Sequence, residues 1–238
     1  MEEVRASFHG EAPAPLSEAD LEYAKALYDG EIRYVDAWIA EFLAAVEEIG
    51  LDKRATIVLF SDHGEEFGEH GSVLHEKLVA TVTRVPMMVR LPGGALAGRI
   101  EQIVETIDLV PTLLELAGAP LPPHVQGESL VPLLKGEGTP PYLAISESEL
   151  LGGQRAAALG GYHLIYGEQL GSTRLYDLAA DPMEQNDLAG AEPDRAEVLL
   201  RHIHTWQDKV ELFSYAGGDS AAVGEETLEQ LRSLGYVQ

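Results

Sequence analysis

The apolar positions of the chain first gather into a helical stripe. Tyr28, Ile32, Val35, Ile39, Phe42, Leu43, Val46 and Ile49 recur at steps of three and four, the spacing of one helix face. Ser17 is placed as N-cap, with Asp20 three residues on and acids filling the first turn, and Gly50 is placed to end the helix. The run Ala55-Thr56-Ile57-Val58-Leu59-Phe60 is continuously apolar and β-branched. It predicts a strand buried on both faces, as in a parallel sheet. A polar, glycine-rich loop follows from Ser61 to His75. A second buried strand is predicted over Val85–Leu91, ending at Pro92-Gly93-Gly94. Another helix is predicted over about Val104–Ala117, with Pro111 tolerated only near its first turn and Gly118 at its end. Helices alternating with buried strands predict α/β layering.

Beyond this point the pattern changes. Pro120–Pro141 is rich in Pro and Gly and reads as a surface connection. Leu143–Ser148, Arg155–Leu159, His163–Tyr166 and Thr173–Leu178 are short strand-like runs separated by Gly-Gly and Gly-Ser turns, which predicts an antiparallel meander. A helix is predicted from Pro193 to Phe213, with Leu199, Leu200, Ile203, Trp206 and Val210 on one face. Gly217-Gly218 breaks it, and a short acidic helix is predicted over Glu225–Leu234. The expected organisation is an irregular lead-in over 1–17, an α/β core portion over 18–138 that carries the loop, and a small subdomain of antiparallel sheet and helices over 139–238.

Composition narrows the partners. Among 238 residues, 40 Asp and Glu against 16 Lys and Arg leave a formal charge of −24, while a 45% hydrophobic fraction suits a packed core. Nucleic acid is excluded as a partner, because binding through phosphates needs Lys and Arg to displace counterions. Docking on an anionic membrane needs a basic patch and is disfavoured. The chain has no cysteine, which removes disulfides, thiolate metal sites and thiol nucleophiles together. No apolar run approaches the ~18 residues of a membrane helix, and Met1–Leu16 lacks the form of a secretion signal. As written, the chain is expected to be soluble and cytoplasmic.

The richest chemistry lies in Ser61-Asp62-His63-Gly64-Glu65-Glu66-Phe67-Gly68-Glu69-His70-Gly71, with His75 shortly after. In open α/β sheets, ligands bind beyond the carboxyl ends of strands, where this stretch falls. Asp62 and His63 can reach one ion only if the strand ends there and the chain turns, which Gly64 permits. A hard oxygen beside a borderline nitrogen suits divalent ions from calcium through manganese to zinc. The alternative is that Asp62 caps a loop and the histidines are surface residues. No H-E-x-x-H, G-x-S-x-G or phosphate loop occurs.

Ser61–Gly71 followed by Arg84-Val85-Pro86 closely resembles the C-terminal half of bacterial sulfatases of the alkaline phosphatase superfamily. Tyr28-Asp29-Gly30-Glu31-Ile32 with Asp36, Asp108-Leu109-Val110-Pro111-Thr112-Leu113-Leu114 with Gly118, and Gly127-Glu128-Ser129-Leu130 are similar to further family motifs. So are Leu175-Tyr176-Asp177-Leu178 with Asp181-Pro182, Glu184 and Asn186, and the tail Leu231-Arg232-Ser233-Leu234-Gly235-Tyr236. The resemblance implies an α/β fold, a partial alkaline-phosphatase-like parallel sheet with flanking helices, followed by the small antiparallel subdomain. It implies that Asp62 and His63 are ligands of an active-site divalent ion, calcium by family, with manganese or zinc allowed by the Asp-His pair. It places His75, or Lys77 in its stead, as the cationic group that binds the ester oxyanion or protonates its leaving group. His70 and Arg84 fall in family motifs and are expected to pack the loop.

The same resemblance shows what this sequence does not contain. Family members carry C-x-P-x-R or S-x-P-x-R, whose first residue becomes the formylglycine nucleophile, and an apolar strand ending in paired Asp. Neither pattern occurs here. The expectation is a sulfate ester hydrolase whose chain is a fragment, or one half of a split enzyme awaiting an N-terminal half that would also carry any signal peptide. Its substrate class is a small-molecule or carbohydrate sulfate ester. A phosphate or phosphonate ester hydrolase of the same superfamily and a non-catalytic degenerate binding module are the competing readings. A half-core is further expected to leave one sheet edge and one apolar helix face uncovered.

Overall fold

The structure, a computed structural model, describes residues 16–123, 125–138, 142–169 and 171–212. Most of the lead-in, the Gly217-Gly218 break, the Glu225–Leu234 helix and the tail motif at Leu231–Tyr236 lie outside the described residues. Two compact units divide the chain, residues 1–203 and 204–238. The second is described over 204–212, where it is helical.

Helix α1 spans Glu18–Glu48. Ser17 and Asp20 form a capping box: the Asp20 amide donates to Ser17 Oγ at 3.2 Å and the Ser17 amide to Asp20 Oδ2 at 3.1 Å. The Ser17 bonds hold the Asp20 carboxyl below the ordinary carboxylate range. Past the helix end, Gly50 adopts φ +68°, a left-handed conformation that costs glycine little. The apolar stripe is real as a pattern and largely uncovered as a surface. Val46 is buried, whereas Trp38 is 57% and Phe42 58% exposed, with Tyr34 and Val35 beside them.

Strand β1 (Ile57–Phe60) pairs with β4 (Met87–Arg90) in register Ile57↔Arg90 and Phe60↔Met87. The pair is antiparallel, which corrects the expected parallel arrangement of these two strands. A continuous apolar run reports covered faces and carries no information on strand direction. Coverage is incomplete as well, since Leu59, Phe60 and Met88 are exposed. Between them the polar, glycine-rich loop holds a short hairpin, β2 (Glu66–Phe67) and β3 (Val73–Leu74), and the single-turn helix α2 (Ala80–Thr83) follows it.

Helix α3 runs Leu109–Leu116, after a 3-10 turn over Thr106–Asp108. Pro111 therefore sits in its first turn, as required. The motif residues around it form a lock. Asp108 is buried and accepts from the Glu128 amide at 2.8 Å and the Glu105 amide at 2.9 Å. Thr112 Oγ1 donates to the Asp108 carbonyl at 2.6 Å and accepts from the Leu130 amide at 2.8 Å. Gly127 completes the approach at φ +82°, where a Cβ would stand 2.7 Å from the Ile107 carbonyl oxygen. The segment read as a surface connection is thus anchored, and helix α4 (Val131–Leu134) buries Val131 and Leu133.

The meander is confirmed as one antiparallel sheet in the order β5 (Leu143–Ser148), β6 (Gln154–Leu159), β7 (Tyr162–Gly167), β8 (Ser172–Asp177). Helix α5 (Pro193–Leu212) lays Ala196, Leu199 and Ile203 on Ala157, Leu164 and Leu175. The other cluster, Ala156, Ile165 and Tyr176, meets Leu78, Val79 and Val82. The Glu105 carboxylate accepts from the Ile145 amide at 2.7 Å, joining α3's approach to strand β5. Burial pushes the Glu105 carboxyl up, against the pull of that bond and with help from the nearby Asp108 and Glu128 charges.

Replacing Thr112 by Val leaves the buried Leu130 amide without an acceptor and is expected to cost about 1–3 kcal/mol, read as a lowered urea midpoint. A Trp38→Gln, Phe42→Gln double variant is expected to shift the chain toward monomer in sedimentation velocity, because an exposed aromatic patch drives association.

Candidate metal centre

Strand β1 delivers the chain to the site and then stops. The Ser61 amide makes the last bond to the β4 side, donating to the Pro86 carbonyl at 3.3 Å, and Ser61 Oγ donates to the His63 carbonyl at 2.8 Å. Gly64 takes the turn. Its amide donates to the Val82 carbonyl at 2.8 Å, and a Cβ at this position would overlap the Thr81 carbonyl oxygen. The Asp-His pair is therefore seated directly on α2.

Asp62 is exposed and accepts from the His63 amide at 2.9 Å. That bond, aided by the His63 and His75 charges, holds its carboxyl below the ordinary range. It stays ionised wherever a divalent ion would be offered to it. His63 Nδ1 lies 3.0 Å from the Gly64 carbonyl, which can only accept, so Nδ1 carries the proton and Nε2 keeps a lone pair in the neutral ring. That Nε2 stands 3.8 Å from Asp62 Oδ2. The separation is too long for a hydrogen bond, and a small closure would bring it to the about 3.3–3.6 Å between two ligands of a tetrahedral ion with bonds of about 2.0–2.2 Å.

His75 joins this corner. Its ring stacks on that of His63, with centroids 4.0 Å apart and an interplanar angle of 30°. Its Nδ1 lies 2.8 Å from Glu65 Oε1. One ligand atom each from His63, Glu65 and His75 lie within 4.8 Å of one another. Leu74, the residue before His75, has φ +75°, a conformation costly for a leucine and held by the hairpin. Glu65 is the residue that sequence reasoning missed. Its signal was present, an acid two residues beyond His63, but adjacent Glu66 carries the same signal and has a different job.

Glu66 is buried. Its Oε1 is 2.7 Å from His70 Nδ1 and its Oε2 accepts from Ser72 Oγ at 2.9 Å. His70 Nε2 meets the Met183 carbonyl at 3.0 Å, so His70 packs the loop as expected. Arg84 does not share that role among the described residues: it is exposed, and its amide donates to the Ala80 carbonyl. Lys77 Nζ donates to the His70 carbonyl at 2.6 Å, so its ammonium steadies the same loop. Behind α2, Glu184 Oε2 accepts from the Ala80 amide at 2.6 Å, and its Oε1 pairs with His163 Nδ1; both side chains are buried.

A sulfatase family model matches residues 5–119, and a model described as N-sulphoglucosamine sulphohydrolase, C-terminal, matches residues 68–209, more than half of the chain. The chain belongs to the sulfatases of the alkaline phosphatase superfamily. It is 26% identical to arylsulfatase K of Xenopus laevis over 217 residues, 85% of this chain and 40% of that protein. Among solved structures it resembles one in complex with its substrate D-glucosamine-2-N,6-O-disulfate, with TM-score 0.64 and 26% identity over 76% of this chain and 39% of the other. It resembles equally a phosphonate monoester hydrolase of Agrobacterium radiobacter, with TM-score 0.66 and 26% identity over 84% of this chain and 43% of the other. This sulfatase chain spans 40% or less of the length of the curated relatives it matches first. The family uses a metal ion, and the His63–Glu65–His75 corner, with Asp62 beside it, offers donors of the right kind.

Glu184→Ala strips the acceptor from the buried Ala80 amide and the partner from His163. The expected loss is about 3 kcal/mol or more, measured by urea unfolding, and the site's seat on α2 should loosen with it, seen as faster amide exchange over residues 62–66.

Proposed function

We propose that this chain supplies the metal-ligand and leaving-group side of a sulfatase active site, acting on sulfated carbohydrates or related sulfate esters. The formylglycine nucleophile and the remaining metal ligands come, in this reading, from an N-terminal half that this sequence does not contain. The observation that carries the proposal is the corner where Asp62 and His63 face one another at 3.8 Å with the His75 ring stacked on that of His63. The family assignment and the sulfated sugar bound by one structural relative support the substrate class.

Asp62 and His63 would hold the ion, calcium by family, with manganese or zinc also suited to an oxygen–nitrogen pair. When bound, the ion supplies the positive focus that neutralises ester oxygens and orients the nucleophile. A chain of charge −24 repels an anionic substrate at long range, so local positive charge is required. His75 is the group placed to serve the leaving alcohol. Glu65 Oε1 accepts from Nδ1–H and sets the ring's orientation, so that in the imidazolium form Nε2–H binds the ester oxyanion or passes its proton to the departing oxygen. Lys77, bonded to the His70 carbonyl, steadies the loop from which His75 projects and serves as the second cation.

A second reading keeps the fold and changes the ester to a phosphonate or phosphate. It is favoured by His63 in the Asp-His pair and by the likeness to the phosphonate monoester hydrolase.

The test is hydrolysis of an aryl sulfate by the full chain, alone and co-expressed with an N-terminal sulfatase half bearing C-x-P-x-R. No turnover alone and metal-dependent turnover together are expected, with His75→Ala lowering kcat by about 10²–10⁴-fold. Turnover by the chain alone at the rate of the assembled pair would overturn the proposal. A preference of the assembled pair for a phosphonate monoester over the sulfate would select the second reading.

A further inference from the structure

The carboxylates drawn into the fold differ in what offsets their charge. Glu66 has His70 and the Ser72 hydroxyl, and Glu184 has His163 and the Ala80 amide. Asp108 has two amides, those of Glu105 and Glu128. Glu105 is half-buried and accepts from the Ile145 amide at 2.7 Å, and no Lys, Arg or His among the described residues pairs with it. It is a carboxylate tied across the fold with no cation beside it.

The groups that face Glu105 come from three elements. On its own turn stands Asp108, whose Oδ2 accepts from the Glu105 amide at 2.9 Å. The segment leading to α4 brings Glu128, whose amide donates to Asp108 Oδ1 at 2.8 Å. Strand β5, an edge of the antiparallel sheet, brings the uncharged Ile145 amide. Partial burial and two neighbouring carboxylate charges disfavour a third charge at this point, and a single neutral N–H opposes them. Burial is the largest of these causes, and the balance lifts the Glu105 carboxyl above its ordinary 4.5. The bond to Ile145 survives protonation, because a neutral carboxyl still has a carbonyl oxygen that accepts.

We propose that Glu105 is a pH-sensitive latch between the approach to α3 and strand β5, tightest while its carboxyl keeps a proton and weakened once it ionises beside Asp108 and Glu128. The sheet that β5 edges lays Ala156 and Ile165 on Leu78, Val79 and Val82, the packing at helix α2 on which the metal loop is seated. By linkage, the folded chain keeps this proton to higher pH than the unfolded chain does. The latch therefore contributes its full stability below about pH 4.5 and loses it as pH rises through the folded value. None of this depends on which ester the site serves.

The test uses the full chain, wild type beside Glu105→Gln, Glu105→Ala and Glu128→Gln. Urea midpoints are compared from about pH 5 to about pH 8, so that the other acids titrate alike in every chain and cancel in the differences. Gln keeps an acceptor for the Ile145 amide and carries no charge. Glu105→Gln is therefore expected to gain on wild type as pH rises, with opening of the Ile145 amide by hydrogen exchange about twofold rarer or more at about pH 7.5. Glu105→Ala, which offers no acceptor, should be weaker than Glu105→Gln at every pH. In wild type, the Glu105 carboxyl carbon followed by NMR should show a larger protonated fraction at about pH 5 in the folded chain than in urea, and Glu128→Gln should shrink that excess. A Glu105→Gln midpoint at or below wild type across the range overturns the proposal. So does a Glu105 no more protonated folded than unfolded, a measurement on wild type that decides the matter even where Glu105→Gln does not fold.

Discussion

The site depends on a buried carboxylate far from it in sequence. Glu184 accepts from the Ala80 amide with one oxygen and holds His163 with the other, so strand β7 and helix α2 are fastened through a single side chain. Helix α2 in turn carries the Gly64 turn, through the Val82 carbonyl and the tight face of Thr81. Asp62 and His63 sit one step further on. A buried carboxylate is expensive to leave without partners, which makes this fastening all-or-none. Glu184 itself holds φ +54°, a strained backbone for a non-glycine residue that the surrounding bonds sustain.

The loop between β1 and β4 divides its acids by depth. Glu66 is sealed against His70 and Ser72 and acts as structure, while Glu65, its neighbour, turns outward to His75. Successive residues at the start of a strand point to opposite faces, so two adjacent glutamates acquire opposite roles with no difference in chemistry. The same loop brings two imidazoles and an ammonium close together on a strongly acidic chain. His63 and His75 stack, and Lys77 lies pinned to the backbone beneath His70.

The aromatic face of α1 and, in the β1–β4 pair, Leu59, Phe60 and Met88 are exposed. Trp38 and Phe42 follow a helical stripe as regular as that of α5, yet α5 buries its stripe on the antiparallel sheet and α1 leaves its own in solvent. The difference lies in what is available to pack against, since the pattern itself is the same.

Much of this protein was legible without coordinates. The period of three and four placed α1 to within a residue, the capping residues Ser17 and Asp20 named its start, and the Gly-punctuated runs placed all four strands of β5–β8. Those features are local, set by backbone geometry and side-chain spacing within a few residues. The site-bearing loop was also legible, because a cluster of His and acid directly after an apolar strand has few structural excuses. Strand direction, the partner of each glutamate, and the anchoring of the Pro120–Pro141 segment were decided by tertiary contact alone. Apolar runs carry no sign of direction, identical carboxylates differ only by which face their backbone presents, and the bonds from Asp108 to Glu128 and from Glu184 to Ala80 span 20 and 104 residues. Such pairings are chosen by the packed chain as a whole, where leaving one buried group unpaired costs more than any local preference supplies.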